Sequence, residues 1–281
     1  MKLLPEILLI ITLHFSVNLF AQEFKVITYN IRNNNPRNDD GLNSWKYRKE
    51  NVAQLINFHE ADIFGLQEAY TDQVQFIASE FSNFKWVGVG RDDGNASGEY
   101  APVFYNTNLF KMTDKGWFWL SETPDIPSKG WDANHLRICT WIILNHLKSN
   151  KQLLVLNTHL DHRGTIARKN SVQLLIKKIK EINKQQLPVI LMGDLNLTPE
   201  EKPILYLKKH LSDSKDISIQ KPYGPEGTTN KFDFLHDLNK RIDYIFVSKQ
   251  LNIFKYAVLS DSKKKNYFSD HLPVFIKAEF R

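Results

Sequence analysis

The sequence predicts an α/β protein in which two β-sheets pack face to face, with helices on their outer surfaces. Two patterns indicate this fold. Short apolar runs typical of strands alternate with segments whose apolar residues recur at helical spacing, and this series occurs twice along the chain. Other strand-like runs follow each other through short loops, which is typical of antiparallel pairs. We therefore expect one domain that contains two mixed or antiparallel sheets.

The first series of elements starts near the amino end. Phe24–Asn30 (FKVITYN) is strand-like, Arg48–His59 has the spacing of a helix with one apolar face, and Ala61–Glu68 returns as a strand. Thr71 is a typical N-cap residue for the next helix. Further strand-like segments occupy the middle of the chain: Lys85–Gly90, Ala101–Asn106, Gly116–Ser121, Arg137–Leu144 and Lys151–Leu160.

The second series contains a long amphipathic helix and a buried strand. Apolar residues line one face of Val172–Ile182, and Val189–Met192 is typical of a strand covered on both faces. Thr198, Pro199 and Glu201 predict the start of another helix, as its N-cap, first and third residues. After a polar stretch at Ser212–Asn239, the remaining predicted strands are Arg241–Ser248, Ile253–Leu259 and His271–Phe280.

The first 21 residues have the pattern of a secretory signal peptide. Lys2 gives a positive start, Ile7–Leu13 is apolar, and Ala21 is a small residue suited to cleavage. The apolar part is too short to span a bilayer comfortably. Because Glu6 is unusual in a signal peptide, an uncleaved anchor is the alternative. We expect an exported protein, periplasmic or extracellular, whose mature domain spans residues 22–281.

Composition narrows the class of protein. Hydrophobic residues make up 42% and charged residues 24% of the 281 residues, as in globular proteins. Cys139 is the only cysteine, which excludes an internal disulfide and a zinc site built from cysteines, and its strand-like surroundings predict a buried side chain. The net charge of +6 mildly favours anionic partners, although the lysines within Lys177–Lys184 are typical of a solvated helix face.

Polar side chains recur where the predicted strands begin or end. Each residue alone could be structural: a turn residue, a helix or strand cap, or a core histidine. Their shared placement at strand ends instead favours a common functional site. Carboxylates and amides supply oxygen ligands for a hard cation, and imidazoles transfer protons. Without cysteine, such a set points to Mg²⁺ or Mn²⁺ rather than zinc. The residues are Asn30, Glu68, His159, Asp194, Asn196, Asp243, Asp270 and His271.

Six short blocks contain most of these residues. In chain order they are TYNIR, GLQE, NTHLD, GDLN, RIDYIFVS and SDHLPV, and the resemblance that they carry covers Phe24–Phe280. The ordered set resembles the endonuclease/exonuclease/phosphatase superfamily, which includes deoxyribonuclease-I-like nucleases, neutral sphingomyelinases and inositol polyphosphate phosphatases. The loops GVGRDDGNASGEY and GWFWLSETPDIPSKGWDA resemble an exported bacterial branch of it. This resemblance implies a four-layered α/β sandwich.

The resemblance also implies a role for each residue, at a metal site or a catalytic site. The metal residues are Glu68 as principal Mg²⁺ ligand, Asn30 and Asp270. The catalytic residues are Asp194 and Asn196 at the attacking water, the Asp243–His271 dyad, the phosphate-contacting His159, and Glu99 as the partner of that histidine. Whether Asp194 or the dyad is the general base stays open.

The implied activity is metal-assisted attack of water on a phosphate ester, with a phosphodiester of nucleic acid as the first-choice substrate. Phosphorylated inositol or sugar, or the head group of a phospholipid such as sphingomyelin, is the alternative substrate. A non-catalytic secreted binding protein is the alternative of another class. Every metal and dyad position keeps its residue type, which favours an enzyme, and we expect a monomer that binds an anionic phosphate ester.

Side chains in the loops bear on substrate choice. Arg137 has a planar guanidinium suited to a phosphate contact, with an ordinary surface arginine as the alternative. Acidic residues would repel a long polyanion if they face the cleft: Asp92, Asp93 and Glu99. Aromatic residues would stack on bases, touch a lipid surface or, as we expect, pack in the core: Trp117, Phe118, Trp119 and Trp131.

Overall fold

The computed structural model describes residues 23–35 and 40–281, so the predicted signal peptide lies outside the described residues. In this part of the chain, no helix has the length and apolar composition needed to cross a membrane.

The strands are β1 (Glu23–Asn30), β2 (Ile63–Gln67), β3 (Phe84–Val87), β4 (Val103–Asn106), β5 (Phe110–Trp119), β6 (Ile138–His146), β7 (Gln152–His159), β8 (Val189–Asp194), β9 (Ser212–Asp213), β10 (Asp243–Val247), β11 (Leu251–Val258), β12 (Ser262–Lys263), β13 (Asn266–Tyr267) and β14 (Val274–Phe280). The helices are α1 (Trp45–Phe58), α2 (Thr71–Glu80), α3 (Thr165–Ile182) and α4 (Lys202–Leu207), with a short 3₁₀ helix at Gly41–Asn43.

Most strands belong to two six-stranded sheets. The first sheet has the order β11-β14-β1-β2-β4-β3 and the second has the order β5-β6-β7-β8-β10-β9. In each sheet one pair is parallel, β1 with β2 and β7 with β8, and the other neighbouring pairs are antiparallel. The predicted pair of mixed sheets is therefore confirmed.

The sheets pack face to face and the helices cover their outer faces, which gives four layers. Because side chains alternate along a strand, Val26 of β1 lies in the core between the sheets, whereas Ile27 packs in the core beneath α1 and α2. The second sheet repeats this arrangement: Val155 of β7 lies in the core between the sheets, and Leu154 lies beneath α3. The predicted four-layered α/β sandwich is confirmed, and Cys139 is buried and free as expected.

Two predicted helix starts are wrong in detail. Thr71 is the first residue of α2, and the preceding Tyr70 is its N-cap. Helix α4 begins at Lys202 rather than at Pro199. Thr198 and Glu201 do interact, since the Thr198 backbone N–H donates to Glu201 Oε1 over 2.9 Å, but the contact closes a turn before the helix.

The parallel pairs determine where the polar strand ends lie. Strands β1 and β2 run together in the first sheet, and β7 and β8 run together in the second. The carboxyl ends of parallel strands meet at one edge of a sheet, where binding sites of layered α/β proteins form. The residues that end these strands therefore face one another across the two sheets.

Candidate active site

Three of the predicted site residues lie in one row of the second sheet. His159 ends β7, Asp194 ends β8, and Asp243 begins the antiparallel β10. His159 is the register partner of Asp194, which is in turn the partner of Asp243. All three side chains are buried. Strand pairing alone thus brings two carboxylates and an imidazole side by side.

The first sheet contributes the other half of the site. Asn30 ends β1, and Glu68 directly follows β2. Strand β14 pairs with β1, so the preceding Asp270 and His271 reach the same edge. The hydroxyl of Ser269 donates to the backbone oxygen of Asn30 over 2.7 Å and joins the two segments.

The backbone at this edge adopts conformations that are rare outside functional sites. Glu68 and Asn196 have φ of 63° and 50°, in the left-handed region. Gly193, just before Asp194, has φ of 146°, and a Cβ there would lie 1.9 Å from the backbone oxygen of Thr158. Only glycine allows β7 and β8 to approach this closely, which explains the Gly in GDLN.

Asn30 connects the acidic residues of the two sheets. Its Nδ2 lies 3.1 Å from Glu68 Oε1 and 3.1 Å from Asp194 Oδ2, and its Oδ1 accepts from the backbone N–H of Arg32 over 3.0 Å. Burial alone would raise the pKa of Glu68, but the Asn30 hydrogen bond and the charges of His271 and Arg32 hold the pKa below its ordinary value. Glu68 is therefore an anionic carboxylate held in a partly buried position.

Asp243 and His271 form a hydrogen-bonded pair. His271 Nδ1 lies 2.9 Å from Asp243 Oδ2, which also accepts from the hydroxyl of Thr228 over 2.6 Å. His271 Nε2 lies 3.8 Å from Asp194 Oδ2. Burial lowers the pKa of His271, but the charges of Asp243 and Asp194 and the hydrogen bond outweigh it and hold the pKa well above its usual range. The ring is thus a protonated imidazolium at neutral pH.

Asp194 is the carboxylate whose proton affinity suits chemistry near neutral pH. Burial, and then the charge of Asp243, raise the pKa of Asp194 to about 7. Its Oδ1 accepts from the backbone N–H of Asn196 over 2.9 Å. A carboxylate with this pKa exchanges a proton readily at neutral pH.

His159 is neutral and its orientation is fixed. Its Nε2 lies 3.0 Å from Asn196 Nδ2, and its Nδ1 lies 3.9 Å from Glu99 Oε2. Burial and the charges of Arg137 and Arg91 hold the pKa of His159 well below its usual range. Nε2 also lies 3.4 Å from Asp194 Oδ2. Because Asn196 Nδ2 is a donor, we assign the ring hydrogen to Nδ1, on the side of Glu99.

Glu99 lies between two buried arginines. It hydrogen-bonds Arg91, and Arg137 Nη1 lies 3.7 Å from its Oε2. Burial, with the charge of Glu68 adding to it, raises the pKa of Glu99 despite both arginines. Arg137 is not a surface residue, because only 5% of its side chain is exposed. The predicted partnership of Glu99 with His159 is geometrically possible, and Arg91 is a neighbour that the sequence did not indicate.

A cavity of about 570 Å³ opens beside these residues. A larger cavity of about 790 Å³ lies between α3 and α4 and contains none of the predicted site residues. The smaller cavity is the one that reaches the strand ends, so we regard it as the substrate cavity. Its lining includes Glu68, Arg91, Asp92, Glu99, His135, Arg137, His159 and His162.

The predictions for the acidic and aromatic loop residues are confirmed only in part. Asp92 and Glu99 do line the cavity, whereas Asp93 accepts N–H groups within its own exposed loop. Core packing is confirmed for Phe118 and Trp119, which are buried. It is wrong for Trp117, which is 38% exposed, and Trp131 is only partly buried.

Two groups of side chains have the composition of a metal site. Glu68 and Asp270 supply carboxylates at one end, and burial together with the charge of Glu68 raises the pKa of Asp270. Asp194, Asp243 and His271 form the second group, with ligand atoms within 4.8 Å of one another. In this second group the His271–Asp243 hydrogen bond already uses one ring nitrogen. The first group offers the oxygen ligands that Mg²⁺ prefers.

The chain resembles known proteins over nearly its whole length. The family model described as Endonuclease/Exonuclease/phosphatase family matches residues 27–271. A crystal structure of a protein of that family from Bacteroides thetaiotaomicron is 36% identical, covers 93% of this chain and 99% of its own, and superposes with a TM-score of 0.88. A mannosyl-6-phosphatase from Bacteroides thetaiotaomicron VPI-5482 is 37% identical over 92% of this chain and 100% of its own, with a TM-score of 0.87.

Curated relatives are more distant. An uncharacterized protein of Acanthamoeba polyphaga mimivirus is 24% identical over 66% of this chain, and the match covers 32% of that protein. A second mimivirus protein is matched over 59% of its length. The chain thus spans about a third to three fifths of the length of these relatives.

Proposed function

This chain belongs to the endonuclease/exonuclease/phosphatase family of phosphoester hydrolases, and we propose that it uses a divalent cation, Mg²⁺ or Mn²⁺, to hydrolyse a phosphate ester. The observation that carries this proposal is the convergence of Glu68, Asp194 and His271 from two sheets around Asn30. A carboxylate with a pKa of about 7 beside an imidazolium favours an enzyme over a binding protein, because such shifted groups cluster at catalytic sites.

Glu68 and Asp270 would hold the cation. Both are carboxylates, and Glu68 is anionic although partly buried, as a ligand to a hard cation must be. Asn30 presents its amide nitrogen to Glu68. We therefore propose that Asn30 orients the Glu68 carboxylate and does not coordinate the cation directly. When bound, the cation would neutralise charge that develops on the phosphoryl oxygens.

Asp194 is the proposed general base. Its pKa of about 7 lets it accept the proton of an attacking water, whereas His271 is already protonated at neutral pH. The backbone N–H of Asn196 donates to Asp194 Oδ1, which holds Asn196 beside the base. Asn196 would orient the same water. His271 would instead donate its Nε2 hydrogen to a phosphoryl oxygen, with Asp243 fixing the ring through Nδ1.

The phosphoryl group would lie between the base and the buried arginines. His159 and Arg137 both line the substrate cavity. An imidazole and a guanidinium at this position suit a phosphate group. The sequence also indicates Arg137 as a candidate phosphate contact, because of its planar guanidinium, with a surface arginine as the alternative.

A small phosphorylated sugar fits the cavity better than nucleic acid does. The volume is about 570 Å³, and most of its lining is polar. Asp92 belongs to that lining and would repel a polyanion that extends past it, whereas Glu99 is paired with Arg91 and Arg137. A 37% identical relative is a mannosyl-6-phosphatase, which supports a phosphate monoester. The diester of nucleic acid that the sequence favours stays a prediction.

We also propose that the chain is exported and that residues 22–281 form the catalytic domain, as the pattern at Met1–Ala21 predicts. The proposed function is tested by a screen of purified protein with Mg²⁺ over mannose 6-phosphate, inositol polyphosphates, sphingomyelin, RNA and DNA. Release of phosphate from the sugar ester would support the proposal. Cleavage of nucleic acid alone would instead support the diesterase that the sequence favours.

A further inference from the structure

One wall of the substrate cavity consists of two stacked histidine rings that the proposed mechanism does not use. The ring centroids of His135 and His162 are 5.6 Å apart, with their planes at 23°. Both side chains line the cavity that also contains Glu68 and His159. A molecule whose phosphate lies near Glu68 and His159 therefore has its other atoms beside these rings.

A buried carboxylate positions the backbone on which both rings are carried. Asp161 Oδ2 accepts the backbone N–H groups of Asn134 and His135 over 3.0 and 3.2 Å. Its Oδ1 accepts those of Arg163 and Gly164 over 2.9 and 2.7 Å. The two loops are thus joined through one side chain. The histidines are exposed to solvent, yet their backbone positions are fixed.

Neighbouring donors determine which nitrogen of each ring accepts a hydrogen bond. Asn134 Nδ2 lies 2.8 Å from His135 Nε2, and Arg137 Nη2 lies 3.3 Å from His162 Nδ1. Burial and the charges of nearby arginines lower the pKa of both histidines, so the rings are neutral. The opposite nitrogens, His135 Nδ1 and His162 Nε2, then carry a hydrogen. Neither has a hydrogen-bond partner among residues 23–35 and 40–281.

Two buried arginines lie behind the same wall. Arg137 lies 3.7 Å from Glu99 and 3.6 Å from Asp161, and Arg91 Nε lies 3.7 Å from Asp92 Oδ1. Arg137 Nε and Nη1 and Arg91 Nε are enclosed by protein and make no hydrogen bond among the described residues. The ion pairs therefore hold the guanidiniums in place and do not offer these three atoms to a ligand.

We propose that His135 and His162 bind hydroxyl oxygens of the leaving group and thereby select the phosphate ester of a polyol, such as a hexose. This inference rests on the proposed function, because it assumes that phosphate occupies the neighbouring site. A flat aromatic leaving group has no hydroxyls to accept these N–H groups. The pair therefore determines specificity, whereas the cleavage step uses Asp194 and His271.

The test compares two phosphate monoesters in the presence of Mg²⁺: mannose 6-phosphate, which is rich in hydroxyls, and p-nitrophenyl phosphate, which has none on its ring. His135→Ala and His162→Ala should each lower kcat/KM for mannose 6-phosphate by roughly threefold to tenfold, the effect of one lost hydrogen bond. The value for p-nitrophenyl phosphate should change by less than about twofold in His135→Ala. In His162→Ala it should fall less than the value for mannose 6-phosphate, because His162 also accepts a hydrogen bond from Arg137 at the phosphate site. His210→Ala, which removes a ring in edge-on contact with Tyr206 outside the substrate cavity, is the matched control and should change neither.

The outcomes separate this inference from the proposed function. Equal losses for both esters, or no loss for either, would overturn the role of the histidines. Wild-type protein that hydrolyses p-nitrophenyl phosphate but not mannose 6-phosphate would overturn the polyol assignment and leave the hydrolase proposal intact. Turnover of neither ester, together with no turnover of the other phosphate esters in the screen, would contradict the proposed function itself.

Discussion

The Oδ2 atom of Asp243 lies 2.9 Å from Nδ1 of His271 and joins the two sheets of the sandwich at the strand ends. Asp243 begins a strand of the second sheet, and His271 precedes the last strand of the first. An unpaired carboxylate is costly inside an apolar strand, so the imidazolium is a structural as well as a chemical partner. The same contact fixes the ring so that Nε2 faces Asp194.

Loss of this pair should lower the rate of reaction rather than only the stability. Asp243→Asn keeps the size of the side chain and should reduce kcat by roughly 10²- to 10⁴-fold. His271→Ala should have a similar effect, and the double variant should cost little more, because the two residues act as a unit. The measurement is kcat for the three variants alongside their melting temperatures. Multiplicative rate losses, or an unchanged rate per folded molecule, would argue against the pair.

Asp194 should make the metal-free protein less stable as pH rises. Its pKa is about 7 in the folded state and near 3.8 when unfolded, so between these values the unfolded chain binds fewer protons. The free energy of unfolding should therefore fall by roughly 2 kcal/mol between pH 5 and pH 8 from this group alone. Asp194→Asn should remove that loss and abolish turnover. Asp216→Asn is the exposed control.

Chemical unfolding of the metal-free proteins at both pH values checks this prediction. The wild type and the Asp216→Asn control should lose stability in parallel, and Asp194→Asn should lose less. If all three proteins show the same pH dependence, Asp194 does not titrate near neutral pH and cannot be the base we propose.

A buried ion pair beside β10 should be important for stability. Arg241 donates to both oxygens of Asp213 over 3.1 and 2.7 Å, and both side chains are buried. Arg241→Met leaves Asp213 with only the more distant Lys208 ammonium, 3.8 Å from its Oδ2, and should lower the free energy of unfolding by roughly 3 kcal/mol. Arg241→Met combined with Asp213→Leu should restore much of it. Glu60→Gln, at the exposed Lys25–Glu60 pair, is the control and should have little effect.

Export predicts a particular amino terminus. Cleavage after Ala21 would give a mature chain that starts at or near Gln22. Amino-terminal sequencing of protein collected outside the cytoplasm checks this directly. Recovery of a chain that still begins at Met1 in a membrane fraction would favour the uncleaved anchor.

Much of the fold was predictable because it depends on local pattern. The alternation of Val26 and Ile27 between two cores follows from strand period, and the positions of Asn30, Glu68, His159 and Asp194 follow from where strands end. The start of α4 was less predictable. Thr198–Pro199 and Glu201–Pro203 both have an N-terminal pattern, and only packing selects the later one.

The substrate cavity was not predictable in the same way. Arg91, His135 and His162 lie on loops, where no period indicates which way a side chain faces. Asp161 was visible within NTHLD, but its four backbone contacts come from two loops brought together by the fold. For Arg137 the sequence allowed two interpretations, a phosphate contact or a surface arginine. Its burial depends on Glu99 and Asp161, which the fold brings beside it.

The most direct test of the central claim is the rate of phosphate release from mannose 6-phosphate by wild-type and Glu68→Gln protein, each with Mg²⁺ and with excess chelator. Glu68→Gln keeps the shape of the side chain but removes the anionic ligand that Asn30 and Asn33 orient. We predict turnover by the wild type with Mg²⁺, none with chelator, and a loss of about 100-fold or more in the variant. Wild-type turnover that persists in chelator, or a Glu68→Gln variant as active as the wild type, would contradict metal-dependent hydrolysis at this site.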